Sequence, residues 1–224
     1  MKWSYAKLER ALDAFAPSGD PTDPREQRRR RIVEAAKELF ICQGYRKTSI
    51  DEVAALARVA KGTVYAYAKS KADLMLQVIV EEKKTYLKEL QPALDRDLPP
   101  RERLRWWIRT ALTTHSKMPL ISRLMSGDRE MLDIFRDMDA DLRERTLALQ
   151  RAMVIGLLEE ATRPHRWTPS ELEDRAKMLI GLAYAAMVFD DEYMRGGLPL
   201  ERFVEVLTEA LLEGLLPYSE RGER

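Results

Sequence analysis

An all-α fold is predicted by three observations. Apolar residues recur at spacings of three and four through long segments of the chain. Helix-start signals, a serine followed three residues later by an acidic residue, stand at Ser49/Glu52 and Ser70/Asp73. Proline and glycine punctuate the periodic segments, and strand-like alternation is absent.

The elements follow in order. Trp3, Leu8, Leu12 and Phe15 stand at near-helical spacing, and residues 17–24, rich in Pro, Ser, Gly and Asp, form a linker. This first helix either packs on the protein's own surface or serves as an arm to a partner. A basic start, Arg25 to Arg31, runs into an amphipathic helix carrying Ile32, Val33, Ala36, Leu39 and Phe40, with Gly44 as its stop. A helix begins at Ile50 and shows Val53, Ala54 and Ala57 on one narrow face, where a partner helix must sit. After Arg58-Val59-Ala60 a second short helix has Val64 as its one clear core residue. Further helices are predicted over 71–90, 100–116, 119–126, 128–161, 169–194 and 199–215, bounded by Pro92, Pro99-Pro100, Pro119, Gly127, Pro164 to Pro169 and Gly196-Gly197.

A chain of 224 residues divides naturally into a small and a larger helical unit. The net charge is +1, but residues 1–70 carry 14 Lys and Arg against 9 Asp and Glu, a balance of +5 that leaves −4 for the remainder. The single cysteine, Cys42, excludes an intramolecular disulfide and reads as a small core residue. No run of about 18 apolar residues exists, so a transmembrane helix is not expected. Charges interrupt the N-terminus throughout, which does not suit a signal peptide.

The pair 50–57 and 61–67 is informative about function. Two short helices crossing at a tight turn, the second presenting Lys61, Thr63, Tyr65 and Tyr67, form the helix-turn-helix arrangement that lays a recognition helix in a DNA major groove. The same side chains would suit an ordinary solvated face. The basic run upstream favours the polyanion reading, because it adds a phosphate-seeking patch beside the pair.

From about Arg28 to Val80 the sequence resembles the DNA-binding domain of the tetracycline-repressor (TetR) family of bacterial regulators. The resemblance rests on Ile32 to Phe40, Gly44-Tyr45, Thr48-Ser49-Ile50, Val53-Ala54, Val59 to Tyr67 and Lys69 to Leu74. It implies that Lys61, Gly62 and Thr63 open the recognition helix against base edges. It places Tyr65, Tyr67 and Lys71 at phosphates, and Thr48 and Ser49 at the backbone across the groove. It also implies an N-terminal three-helix DNA-binding domain over 25–70, after an extension over 1–24. An antiparallel helical effector-binding and dimerisation domain follows over 71–224. Three positions depart from the pattern: Arg58 where glycine is usual, Ala60 where a serine or threonine often caps, and Ala68 in place of an aromatic residue.

The last two helices have wide apolar faces. Leu179, Gly181, Ala185 and Val188 on one, with Phe203, Leu207 and Leu211 on the other, suit a two-fold dimer interface built as a four-helix bundle. Between them and the helical pair, a pocket wall is expected from Trp106, Trp107, His115, Met118, Met125, Met131, Phe135, Met138, Met153, Tyr184 and Phe189. Methionines and aromatics suit an apolar or aromatic small-molecule effector.

Two histidines, one cysteine and no glycine-rich phosphate loop or glycine-flanked nucleophile leave catalysis unorganised, so neither an enzyme nor a cofactor is expected. A partner-docking protein is the other rival. The expectation is a homodimeric regulator in the cytoplasm, away from the membrane. It binds a palindromic operator in double-stranded DNA and represses until a small-molecule effector releases it.

Overall fold

The structure is a computed structural model that describes residues 8, 10, 13, 19–125, 127–137, 140–162 and 167–216. Among the described residues all regular structure is helical. The helices are α1 (Pro24–Gln43), α2 (Ile50–Leu56), α3 (Lys61–Tyr67), α4 (Lys71–Glu89), α5 (Gln91–Leu94), α6 (Pro100–Thr113), α7 (Pro119–Met125), α8 (Arg129–Asp137), α9 (Ala140–Ala161), α10 (Pro169–Ala185) and α11 (Leu200–Leu215). Single 3₁₀ turns cover Thr114–Lys117, Ala186–Asp190 and Tyr193–Arg195. The helices predicted to 116 and 194 therefore tighten into 3₁₀ turns at their C-terminal ends, and over the predicted segment 128–161 the described helices are Arg129–Asp137 and Ala140–Ala161.

Caps explain most of the starts. Pro24 occupies the first turn of α1, where its missing N–H costs nothing, and Asp23 accepts from the Arg25 N–H at 2.8 Å. At the other end Gly44 has φ 87°, a backbone conformation that favours glycine, and a Cβ there would stand 2.9 Å from Glu130 Oε2 and displace that carboxylate. The Glu130 carboxylate accepts from the N–H groups of Tyr45 and Arg46. The α7–α8 corner is thereby tied to the end of α1.

The described core has two parts. One contains Ile32, Phe40, Val53, Val64, Leu74, Met75 and Val78 and extends to Leu120, Leu124, Met131 and Ile134 of α7 and α8. The other contains Leu87, Leu104, Trp107, Ile108, Val154, Leu158, Leu179, Val204 and Leu212. In it α9 packs along α10, and α6 lies against α9, α10 and α11. Helix α4 belongs to both, its first turns in the former and its last in the latter. Rotation or translation of α4 is therefore felt by both units.

Of the N-terminal extension, Leu8, Arg10 and Asp13 are helical. Leu8 is buried in the larger core and Asp13 pairs with Lys84 Nζ at 2.8 Å, so these residues dock on the chain's own surface. Trp3, Leu12 and Phe15 lie outside the described residues. No described helix is long and apolar enough to cross a membrane.

Candidate nucleic-acid interface

Ser49 starts α2 through a reciprocal capping box. Its hydroxyl oxygen accepts from the Glu52 N–H at 3.2 Å, and the Glu52 carboxylate accepts from the Ser49 N–H at 2.8 Å. Those hydrogen bonds from the Ser49 backbone and hydroxyl hold the Glu52 carboxyl below its ordinary range. Helix α2 ends in a Schellman motif: Val59 N–H bonds to Ala54 C=O at 3.0 Å and Arg58 N–H to Ala55 C=O at 3.1 Å. The motif needs a left-handed residue, and Arg58 supplies it at φ 55°. The strain expected from the missing glycine is thus present, at about 1 kcal/mol. Replacing Arg58 with glycine should raise the unfolding midpoint by about 2–4 °C, read by thermal denaturation; an unchanged or lower midpoint would show that the turn carries no strain.

Helix α3 begins at Ala60 with no side-chain cap, as its sequence predicts. Val64 is fully buried beneath it, while Lys61, Gly62, Tyr65 and Ala66 face outward, Tyr65 at 48% exposure. Thr63 and Tyr67 are half-buried at the edges of this face. A Cβ at Gly62 would meet nothing within 4 Å, so nothing inside the chain demands glycine there. Lys61 Nζ donates to Asp51 Oδ2 at 2.8 Å, both groups exposed, and that bond favours the charged amine. An exposed pair of this kind contributes little and can be exchanged for a phosphate.

Several residues expected at this face are engaged elsewhere. Thr48 is 2% exposed and its hydroxyl donates to Gly44 C=O at 2.8 Å. Lys71 Nζ lies over the Tyr45 ring and donates to the carbonyls of Tyr45, Arg46 and Thr48, closing the α1–α2 loop. Both are pinned inside the domain, Thr48 by a carbonyl four residues earlier and Lys71 by carbonyls 23 to 26 residues earlier. The basic run is also partly consumed: Arg29 is buried against Glu26 and Glu81, and Arg30 pairs with Glu26. Arg46, Lys47 and Lys69, which the sequence reading passed over, are exposed near the ends of the helical pair. Their signal was their place in the loops that flank α2 and α3.

The expected pocket wall divides. Trp107 is 1% exposed, its indole N–H without a hydrogen-bond partner among the described residues, and Met153 and Met131 are buried. The Tyr184 hydroxyl donates to Gln150 Oε1 at 2.8 Å. His115 is buried with Nε2 2.9 Å from Asp190 Oδ2, and the Phe189 ring packs tilted against Phe203 with centroids 4.8 Å apart. Met118 is half-buried. Trp106 does not join them: it is 44% exposed and lines a shallow outer groove of about 700 Å³ with Lys88, Glu89 and Pro92. Met138 and the side chains of Met125 and Phe135 lie outside the described residues.

Of the expected dimer face, Gly181, Ala185 and Val188 are exposed, alongside Met178 and Val206, while Phe203, Leu207 and Leu211 are half-buried. Leu179 is 2% exposed and belongs to the chain's own core, because its position on α10 turns it toward α6 and α9 rather than outward. No group of three or more metal-ligating side chains occurs among the described residues.

Comparison with known proteins agrees with this geometry. A sequence model of the family described as "Bacterial regulatory proteins, tetR family" matches residues 32–78. The chain is 25% identical over 188 residues to the HTH-type transcriptional regulator YhgD of Bacillus subtilis, covering 84% of this chain and 96% of that protein. It is 36% identical over 85 residues to the HTH-type transcriptional regulator HbdR of Aromatoleum, and there spans 37% of that protein. A TetR-like transcriptional regulator from Rhodococcus superposes with a TM-score of 0.57 at 25% identity, over 86% of this chain and 98% of that one.

Proposed function

We propose, on the premise that this chain belongs to the tetR family of bacterial regulatory proteins, that it represses transcription as a homodimer. It holds a palindromic operator until a small molecule enters the helical bundle and releases it. The observation that carries the reading is the outward face of α3, where Lys61, Gly62 and Tyr65 stand together with no structural duty inside the chain that would require them. Residues 25–70 would hold DNA, and residues 71–224 would sense the effector and dimerise. The exposed apolar row of Met178, Gly181, Ala185, Val188 and Val206 supports a two-fold contact through α10 and α11.

Transmission follows from α4. Its first turns pack under α2 and α3 and its last turns line the bundle. An effector that prefers one position of α4 selects one spacing of the two recognition helices. If that spacing does not fit successive major grooves, effector and DNA oppose one another by the same coupling factor.

Selection of bound duplexes from a random library by the purified dimer tests the reading: a palindromic site with steep salt dependence is expected. Recovery of no motif by folded dimer would favour a docking protein instead. On the selected site, Lys61→Ala and Tyr65→Ala should each weaken binding roughly tenfold, with the unfolding midpoint unchanged because both side chains are exposed. Unaltered operator affinity would remove α3 from the interface.

A further inference from the structure

The helical pair over residues 50–67 contains two carboxylates, Asp51 and Glu52, and two cations, Arg58 and Lys61. Glu52 is used by the capping box of α2, where its Oε2 accepts from the Ser49 N–H and hydroxyl, both at 2.8 Å. Asp51 takes no part in that box. Its Oδ2 accepts from Lys61 Nζ at 2.8 Å, a contact from the first turn of α2 to the first residue of α3, with both side chains exposed. An acid in the first turn of a helix complements the macrodipole whatever its side chain touches. That accounts for an acidic residue at 51 and leaves its partner on α3 unexplained.

A carboxylate on a DNA-binding face opposes the phosphates that supply sequence-independent affinity. Here its position decides what Lys61 can do. An ammonium has three donors and one charge. In the pair that charge is matched and one donor is taken, so two donors remain. A phosphate approaching Lys61 meets a second anion beside it and must displace Asp51. A guanine edge is uncharged and offers two acceptors, O6 and N7, so it takes the two remaining donors with the pair intact. Asp51 also holds the long lysine stem in place before DNA arrives, and less side-chain freedom is then lost on binding. Phosphate neutralisation falls to exposed cations at the ends of the pair, such as Lys47 and Lys69.

We propose that Asp51 is a positioning residue that determines specificity: it steers Lys61 away from phosphates and onto one guanine in each half of the operator. The proposal rests on the reading that α3 enters the major groove.

Duplex selection and salt titration with full-length wild type, Asp51→Ala, Lys61→Ala and the double variant test it. Wild type should select guanine at one position of each half-site, and Lys61→Ala should lose that preference. In Asp51→Ala the preference at the same position alone should fall roughly tenfold. Affinity for an unrelated duplex should rise in that variant, and the salt slope should steepen by about 1 per half-site, because the released ammonium now meets a phosphate. The double variant should return to the wild-type slope, since a neutral pair displaces no counterion, and should still lack the guanine preference. An Asp51 that only supports its helix would lower the unfolding midpoint of Asp51→Ala and leave the base preference in place. Undiminished guanine preference in Asp51→Ala, or a motif with no position that depends on Lys61, overturns the proposal and leaves the regulator standing. Failure of the folded wild-type dimer to select any motif removes the regulator and the proposal with it.

Discussion

Replacing Arg29 with alanine is expected to remove about 3–4 kcal/mol of folding stability at pH 7. The guanidinium lies under the start of α1, with Nε 2.9 Å from Glu26 Oε2, Nη2 2.9 Å from Glu26 Oε1 and Nη2 3.0 Å from Glu81 Oε1. Glu26 is 5% exposed. Burial pushes its carboxyl up, but hydrogen bonds from Arg29, Arg30 and the Gly19 N–H, with the charge of Arg29, hold it at about 2. Without Arg29 a buried carboxylate loses its bidentate partner. The sign with pH follows from linkage: the folded value lies below the ordinary 4.5, so the stabilisation is present above 4.5 and is lost as pH falls from there toward 2. Urea denaturation should therefore show the gap between wild type and Arg29→Ala closing over that window. A gap that persists at pH 2 would mean that Arg29 acts through packing of its stem and not through charge. Glu81, paired to both Arg29 and Lys84, joins this site to the N-terminal extension through Asp13.

Local signals in the sequence located the helical pair closely. Ser49 and Glu52 form the capping box that their spacing predicts, Gly44 adopts the left-handed stop, and the two departures at Arg58 and Ala60 have the strain and the missing cap that their residue types imply. These features involve residues within a few positions of each other, where chain geometry alone decides. The assignments that moved depend on distant partners. Lys71 closes on carbonyls 23 to 26 residues earlier, and Arg29 reaches a carboxylate 52 residues later. No local pattern records such contacts.

One other feature was legible but misread. Trp106 and Trp107 are adjacent on a helix and so point about 100° apart, which makes a shared pocket wall unattainable. One lines the outer groove and the other is buried.

Glu82→Ala carries the second large effect, an expected loss of about 2–4 kcal/mol. The side chain is 1% exposed and its two oxygens accept from Leu120 N–H at 3.2 Å and Ile121 N–H at 3.0 Å. These N–H groups belong to the first turn of α7, which has no partners of its own for them. Alanine leaves both unpaired, the Leu120 N–H in a buried site and the Ile121 N–H in a half-buried one. Glutamine restores an acceptor for one of them and turns an amide N–H₂ toward the other, so Glu82→Gln should recover only part of the loss. Burial raises the Glu82 carboxyl, and the N–H groups of Ile121 and Leu120 offset this in part. Its pH dependence is thus opposite to that of Glu26: stability falls as pH rises from 4.5 through the raised value, because the folded state gives up its proton less readily than the unfolded one. The latch joins α4 to a helix whose Leu120 and Leu124 lie in the same core as Val53 of α2 and Val64 of α3, so its loss should also loosen transmission. Amide exchange at the start of α7 should accelerate in Glu82→Ala, and compounds that displace operator from the wild type should displace it less effectively from the variant. Unchanged exchange with full displacement would show that α4 moves the helical pair without α7.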